Sequence, residues 1–187
     1  MKVRVEQCFS EIRNGANIKQ GVIDGGIPIT RIETLADCKF NRDRMGYAGI
    51  EDTTQYASFV LEDGDLLMSH INSLKYLGRT VMYQKQGNEV IIHGMNLLRL
   101  KPKRDIIAPG YIELLFQSIS FKEQIGKIAK KSVNQASFSV SDLKKIQINI
   151  PPLDEQCGIV DLFEKVSTIL KWRRKQLSEL DTLIKAR

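Results

Sequence analysis

The stretch Ile148-Asn149-Ile150-Pro151-Pro152-Leu153-Asp154-Glu155-Gln156 decides the fold, because a run of β-type residues there meets two consecutive prolines. Proline lacks a backbone N–H and cannot continue the hydrogen-bond ladder of a strand. The residues that follow, 153–187, contain no proline and one glycine. This pattern predicts a strand that ends sharply at the prolines and a long helix over residues 153–187.

The predicted helix carries a heptad repeat on one face. Its core positions alternate at spacings of four and three residues and are Ile159, Phe163, Val166, Leu170, Arg173, Leu177, Leu180 and Ile184. Seven of these eight side chains are apolar, which is typical of a narrow coiled-coil seam rather than of the broader stripe of a globular helix. With about 1.5 Å of rise per residue, the helix should be about 50 Å long. Because a single helix cannot bury such a seam, we predict that the seven apolar residues form a dimerisation surface.

The charges along the helix favour an antiparallel partner. The first half of the helix carries Asp154, Glu155, Asp161 and Glu164, whereas the second half carries the basic cluster Lys171, Arg173, Arg174 and Lys175. Parallel self-pairing would set like charges beside each other, and antiparallel pairing would set opposite charges together.

The chain of 187 residues is long enough for one ordinary domain and an extension, so we predict a globular part over residues 1–152 and a helix over residues 153–187. Nearly all of the net charge of +6 lies in the globular part, which holds 21 basic against 16 acidic side chains. This modest excess suits a polyanionic partner without demanding one.

The cysteines and the hydropathy pattern indicate a cytoplasmic protein. Cys8, Cys38 and Cys157 are odd in number and far apart, so we expect reduced thiols rather than a disulfide framework. No window approaches the roughly 18 apolar residues of a membrane span, and the first residues do not resemble a signal peptide. We therefore expect no association with a membrane.

The globular part contains residue patterns typical of strands and of helices. Strands are predicted at 27–32, 66–71, 80–83, 89–92, 96–100 and 146–150. A hairpin should join 80–83 to 89–92 through Gln86-Gly87-Asn88. An amphipathic helix or helix pair should cover 109–130, and Ser141-Asp142 should cap a short helical turn. The predicted fold class is α+β, a mixed α/β domain followed by a long C-terminal coiled-coil helix.

Motifs that would indicate catalysis are missing. The chain contains no phosphate-binding Gly-x-x-x-x-Gly-Lys, no Cys-x-x-Cys and only two histidines, His70 and His93. Ile150-Pro151-Pro152-Leu153 lacks the polar residue and the aromatic ring of the tetrapeptides that hold a target amine for methyl transfer. We interpret Asp63-Gly64-Asp65 as a turn before a strand, and His93 as a structural residue with a satisfied hydrogen bond. The sequence therefore predicts neither catalytic residues nor a metal site.

Polar and cationic side chains instead accumulate in the predicted loops and at strand ends, where binding groups are usually presented. The residues of types that bind phosphates or read base edges are Lys19, Gln20, Arg31, Arg42, Arg44, Tyr47, His70, Asn72, Lys75, Arg79, Lys130, Lys131, Asn134 and Gln135. For any one of them an ordinary solvated surface position is the alternative, but the set as a whole indicates a recognition surface.

Several stretches resemble the specificity (S) subunits of type I restriction-modification systems. The region 134–156 resembles the family's junction between target recognition domain and conserved helix, where Pro-Pro-Leu-x-Glu-Gln follows a short strand. Asp63-Gly64-Asp65-Leu66-Leu67-Met68-Ser69 is similar to the family's Asp-Gly-Asp-Ile-Leu-x-Ser strand, and the loop after it matches at 70–73 and 77–79. Asn96 to Pro102 fits the Leu-Arg-Leu-x-Pro strand, and Asn14-Gly15 and Gly26-Ile27-Pro28 fit the opening section. Ser69 and Ser73, which lie in these stretches, join the candidate DNA-binding residues.

The resemblance implies a non-catalytic DNA-specificity subunit with a target recognition domain over 1–152 and a spacer and dimerisation helix over 153–187. We further predict that the domain reads a few base pairs through loops around Lys19–Gln20, His70–Lys75 and Lys130–Gln135. In these loops Lys and Arg side chains should fix the register on phosphates, and Asn72, Asn134, Gln135 and Arg31 are the expected base contacts. The implied partners are double-stranded DNA, methyltransferase subunits and a nuclease-translocase subunit. S-adenosylmethionine would be bound by the methyltransferase subunit, so no cofactor is expected on this chain.

Full-length members of the family carry two recognition domains and two helices packed antiparallel, and the helices set the distance between the half-sites. This chain has one of each and resembles a half-length form. We therefore expect an antiparallel homodimer that reads a split palindrome, one half-site per chain. The alternatives are the front half of a longer subunit, a pure assembly protein, and an enzyme whose catalytic residues are not recognisable. RNA binding is a further alternative, but the paired aromatics of a stacking platform are missing.

Overall fold

A computed structural model describes residues 1–18, 25–133 and 135–185, and it shows the predicted mixture of strands and helices followed by one long helix. The strands in this part of the chain are β1 (Lys2–Arg4), β2 (Phe9–Asn14), β3 (Pro28–Ile29), β4 (Gly46–Tyr47), β5 (Leu66–Ser69), β6 (Ile71–Asn72), β7 (Thr80–Met82), β8 (Leu97–Pro102), β9 (Lys130–Lys131), β10 (Ala136–Ser137) and β11 (Gln147–Asn149). The α-helices are α1 (Pro109–Gln117), α2 (Ile119–Ile128), α3 (Val140–Lys145) and α4 (Leu153–Lys185), and short 3-10 helices cover Val5–Cys8, Ile32–Cys38, Arg42–Arg44 and Thr54–Phe59. The helix pair predicted for 109–130 and the strand predicted for 146–150 are confirmed.

A four-stranded antiparallel sheet with the strand order β2-β8-β5-β7 forms the centre of the globular part. All four residues of β5 are buried, because the sheet is covered on both faces. Leu66 and Met68 pack into a core with α1 and α2, whereas Leu67, which points to the opposite face, packs against Leu35 and Tyr83. The sheet therefore separates a helical layer from a layer of loops.

The predicted hairpin between 80–83 and 89–92 is wrong. Strand β7 pairs with β5 instead, and its other edge is covered by α1, where the Met82 N–H donates to Glu113 Oε1 at 2.9 Å. The turn at Gln86 is present, but residues 89–92 form no strand. Two smaller differences are that β3 is limited to Pro28–Ile29, and that Ser139 rather than Ser141 caps α3 by accepting from the Asp142 N–H.

The start of α4 is fixed to the globular part by the buried side chain of Gln156, which is 0% exposed. Its Oε1 accepts from the Ala108 N–H at 2.9 Å, while its Nε2 donates to Ile106 O at 3.1 Å and to Pro151 O at 2.9 Å. One turn later, α1 approaches α4 so closely that a Cβ at Gly110 would lie 3.1 Å from a methyl group of Val160. These contacts define the direction in which the long helix leaves the domain.

Beyond this junction, the described part of the chain leaves the apolar seam of α4 largely uncovered. Every described side chain from 161 to 185 is exposed, and the seven apolar seam residues are 36% to 72% exposed. Over the described residues, none of the helices combines the length and the apolarity required to cross a membrane.

His93 lies in the interior, with its Nε2 2.9 Å from Leu97 O, so the expected hydrogen bond is present. Burial lowers the pKa of His93 to about 3. The folded protein therefore holds this imidazole neutral over the pH range in which an unfolded histidine takes up a proton.

Replacement of Gln156 by Ala should lower the free energy of unfolding by about 2–3 kcal/mol, because three hydrogen bonds are lost and the half-buried Ala108 N–H is left without its acceptor. Urea denaturation measures this change. Gln176→Ala is the matched control, since Gln176 lies on the exposed part of the same helix and only accepts from Arg173. Equal effects of the two substitutions would contradict the role of Gln156 as an anchor.

Stability should fall as the pH is lowered, because His93 is protonated in the unfolded chain below about pH 6.5 but stays neutral in the folded protein down to about 3. The contribution is fully present above pH 6.5 and is lost progressively below it, by up to about 1.4 kcal/mol per pH unit. Denaturation at pH 7, 6 and 5 should show a shallower fall for His93→Gln, whose amide can still donate to Leu97 O. His70, which is present in both proteins, cancels in the comparison, and parallel pH profiles would contradict the assignment.

Candidate nucleic-acid interface

A three-stranded sheet with the order β6-β10-β9 brings together candidate residues that are far apart in the sequence. Ala136 in the central strand pairs with Asn72 on one side and with Lys131 on the other. We call the polar side chains around this sheet the hairpin surface, which consists of Asn72, Ser73, Lys75, Lys130, Lys131 and Gln135. The structure thus brings together two of the predicted recognition segments, around 70–75 and 130–135.

The hairpin surface is supported from below by buried aromatic and aliphatic groups. Ala136 and Phe138 are buried, and the Phe138 N–H donates to His70 O at 3.2 Å. The ring of His70 packs edge-on against that of Phe138, with 6.3 Å between the centroids. At the tip, the Ser132 N–H donates to Gln135 O at 2.7 Å. The hairpin is therefore held by the core at its base and by a hydrogen bond at its turn.

The loop after β6 is closed by its own polar groups. The Asn72 side chain donates to Ser69 Oγ at 3.2 Å and accepts from the Ser73 N–H at 2.7 Å. Gly78 adopts a φ of 73°, and a Cβ there would lie 3.1 Å from Ile125 of α2. Because only glycine adopts this conformation without strain and leaves room for Ile125, the loop packs directly on α2.

A groove lies where this loop, α2 and β9 meet. We call this cavity of about 360 Å³ the lysine groove, and its lining residues are Leu74, Lys75, Leu77, Ile119, Lys122, Glu123, Ile125, Gly126 and Lys131. Lys75, Lys122 and Lys131 come from three separate segments, and none of them forms an ion pair within the described ranges. The lining therefore contributes three lysine side chains against one carboxylate, and this excess of positive charge favours an anion at the groove.

Lys122 is a candidate residue that the sequence analysis missed. It is exposed on α2, and it shares a helix face with Ile119 and Gly126 at the spacings of three and four residues expected for one side of a helix. That spacing could have indicated a surface, but nothing local in the sequence connects it with Lys75 or Lys131.

Tyr76 and Arg79 extend the same loop toward the loop layer of the domain. The guanidinium of Arg79 stacks over the Tyr76 ring at 4.3 Å from the centroid, and Lys75 Nζ lies 5.3 Å from it. Arg79 also donates to Leu35 O at 3.2 Å. Two of the predicted cations therefore flank one partly exposed aromatic ring.

Other predicted DNA-binding residues lie away from the hairpin surface or beneath it. Arg31 is exposed and pairs with Glu33 at 3.5 Å, Tyr47 is exposed on β4, and Arg44 is exposed two residues before that strand.

Ser69 and His70 are only 1% and 9% exposed, and burial lowers the pKa of His70. Their contacts with Asn72 and Phe138 support the surface from inside, and neither side chain is presented on it. Lys19, Gln20 and Asn134 lie outside the described residues.

Arg42 is engaged within the protein. It donates to Glu89 at 2.9 Å and 2.5 Å, and also to Gln84 O at 2.8 Å. Its hydrogen bonds hold the pKa of Glu89 down, at about 2. These hydrogen bonds fix the loop around residues 84–89. The guanidinium is therefore used within the protein, unlike that of a free surface arginine.

The Asp63-Gly64-Asp65 segment is the turn that the sequence predicts. Asp65 is buried, its Oδ2 accepts from the Glu62 N–H at 2.9 Å, and it lies 4.0 Å from Nη1 of Arg99. Arg99 in turn donates to Glu11 and to Val60 O. The described residues hold no group of three or more His, Cys, Asp or Glu side chains that could bind a metal ion.

Comparison with known proteins places this chain in a family. Residues 9–181 match the model described as Type I restriction modification DNA specificity domain. The chain is 38% identical over 179 residues to the putative type I restriction enzyme MjaX specificity subunit of Methanocaldococcus jannaschii. The aligned region covers 95% of this chain and 41% of that protein. The chain is 27% identical over 187 residues to the EcoKI specificity subunit of Escherichia coli K12, which covers 97% of this chain and 40% of that protein.

The fold is shared with a solved chain of a type I R-M system, with a TM-score of 0.67 at 19% identity over 99% of this chain and 42% of that chain. The chain spans about two fifths of the length of the curated relatives that it matches. The matched region runs through the hairpin surface, the lysine groove and most of α4. The chain therefore belongs to the family of type I restriction modification DNA specificity domains.

Proposed function

We propose that this chain reads DNA sequence for a type I restriction-modification complex, one half-site per chain, and performs no catalysis itself. The observation that carries the proposal is the convergence of the hairpin surface and the lysine groove at one corner of the fold. Amides and cations from three segments meet there on a rigid support, with the lysines free of ion pairs among the described residues. That combination suits double-stranded DNA, whose phosphates attract the cations and whose base edges match the amides.

In this proposal the two kinds of side chain act differently. Lys75, Lys122 and Lys131 contact phosphates and fix the register without reading sequence. Asn72 and Gln135 contact base edges, where a correct bidentate contact discriminates by about 1–3 kcal/mol. Methyltransferase subunits dock on this scaffold and bring their own S-adenosylmethionine, and a nuclease-translocase subunit joins them.

The long helix acts as the spacer in the proposed complex. Its seam is exposed over the whole described length beyond the junction, so a second helix has to cover it. The charge pattern favours an antiparallel helix, supplied by a second copy of the chain or by another part of a longer protein. Two recognition domains at opposite ends of such a pair would read two half-sites at a fixed separation.

Lys122→Ala should weaken binding to all duplexes to a similar degree and leave the preferred sequence unchanged. The negative slope of log affinity against log salt concentration should become shallower by roughly 0.9, because one phosphate contact is lost. Selection from randomised DNA, with and without the methyltransferase subunit, followed by titration at several salt concentrations measures both quantities. Lys127→Ala is the matched control, because Lys127 is exposed on the same helix but does not line the groove.

A changed sequence preference in Lys122→Ala would contradict its assignment to phosphate. If the wild-type chain selects no sequence in either condition, DNA reading is excluded, and the chain is an assembly component whose helix serves as the docking element.

Leu177→Glu should convert a dimer into a monomer, because it places a charge in the centre of the basic half of the exposed seam. Light scattering on the purified chain measures the mass. Trp172→Glu is the control, since Trp172 is equally open to solvent but lies outside the heptad seam. A wild-type chain that is already monomeric would contradict the homodimer and favour a second helix from elsewhere in a longer protein.

A further inference from the structure

Val133 lies at the tip of the hairpin between β9 and β10 and is 96% exposed, the highest fraction among the large apolar side chains of the described residues. Nothing in the described fold packs against it. The residues on either side, Lys131, Ser132 and Gln135, are polar and exposed. One fully open apolar group therefore projects from the middle of the polar hairpin surface.

The folding of the hairpin does not explain a valine here. The turn is closed by the backbone hydrogen bond from Ser132 to Gln135, and the strands are anchored by buried Ala136 and Phe138. Tight hairpin turns favour Gly, Asn and Asp, whereas β-branched residues favour strand positions in which the side chain is packed. Exposing Val133 gives up the stabilisation that burial of its methyl groups would supply.

We propose that Val133 reads thymine, by packing its methyl groups against the C5-methyl of a thymine base in the major groove. This inference rests on the proposed function of the hairpin surface as a DNA-reading site. The turn that carries Val133 joins two strands of the three-stranded sheet, β9 and β10, and the major groove, which is about 12 Å wide, admits a pair of strands. The thymine methyl is the one apolar feature that the base edges present there. Apolar contact by a short side chain is an established way of recognising that group.

The neighbouring side chains fit this placement. Lys130 and Lys131 lie on the strand that enters the turn, where they can contact the phosphates that border the groove. Gln135 lies two residues beyond Val133 and is of the type that reads an adenine edge. Side chains that wedge between base steps are usually longer, such as Phe, Leu, Ile or Met, so groove contact suits Val133 better than intercalation.

The test replaces thymine by deoxyuridine, which lacks only the C5-methyl group. The full chain first selects its preferred duplex from randomised DNA, and each thymine of that duplex is then exchanged in turn. Wild-type affinity should fall about fourfold at one position, the factor that corresponds to losing the burial of one methyl group. Val133→Ala should bind the thymine and deoxyuridine duplexes equally, and Val133→Ile should keep the difference.

Val90→Ala serves as the control, because Val90 is another exposed valine that lies outside the hairpin surface. It should leave the fourfold difference intact. The inference is overturned if no thymine is sensitive to the exchange, or if Val133→Ala weakens binding but retains the sensitivity. Those results would leave the proposed function standing, whereas a wild-type chain that selects no duplex would remove both.

Discussion

The geometry of this protein depends on one buried amide at the point where the globular part becomes a helix. Gln156 bonds to the chain just before α1 and to the first of the two prolines, so three backbone groups determine how α4 is oriented. A helix of 33 residues amplifies any change at its base. Since the helix is proposed to act as a spacer, the separation of two half-sites depends on the rigidity of this junction. A buried amide suits that role, because leaving its partners unsatisfied costs more than a surface contact would.

Polar side chains in the described part of the fold serve two different purposes, and their partners distinguish them. Asp65 and Arg99 are buried, and each is hydrogen-bonded to the backbone, Asp65 to the Glu62 N–H and Arg99 to Val60 O. Arg42 is held by Glu89. These charges therefore stabilise loops around the central sheet. Lys75, Lys122 and Lys131, by contrast, converge on one groove with no ion pair among the described residues. Placing like charges together is unfavourable in isolation, and a polyanion would relieve the repulsion. The contrast separates structural cations from candidate binding cations more sharply than residue type does.

The rigidity of the hairpin surface is relevant to recognition. Its strands are short, but β10 is paired on both sides and its flanking residue Phe138 is buried beneath them. Groups that are already held in place lose little conformational freedom on binding, so more of each contact appears as affinity and discrimination. The free seam of α4 has the opposite character, because it is apolar, extended and incomplete until a second helix covers it.

The sequence by itself determined the features that depend on neighbouring residues. The prolines at 151–152 and the heptad from Ile159 to Ile184 were enough to predict α4. A run of apolar residues after a turn was enough to predict β5, and strict alternation was enough to predict β11. Only the tertiary structure decided which segments meet. The pattern at 89–92 suggested a hairpin with 80–83, yet β7 pairs with β5 because burial of both faces of the sheet outweighs the short local connection. The sequence predicted Arg42 as a binding residue, but its partner Glu89, 47 positions away, holds it within the protein. Lys122 lies beside Lys75 and Lys131 only because the loop packs on α2. Local periodicity follows from the geometry of one element, whereas a binding surface follows from contacts between distant elements, which no local pattern in a single sequence records.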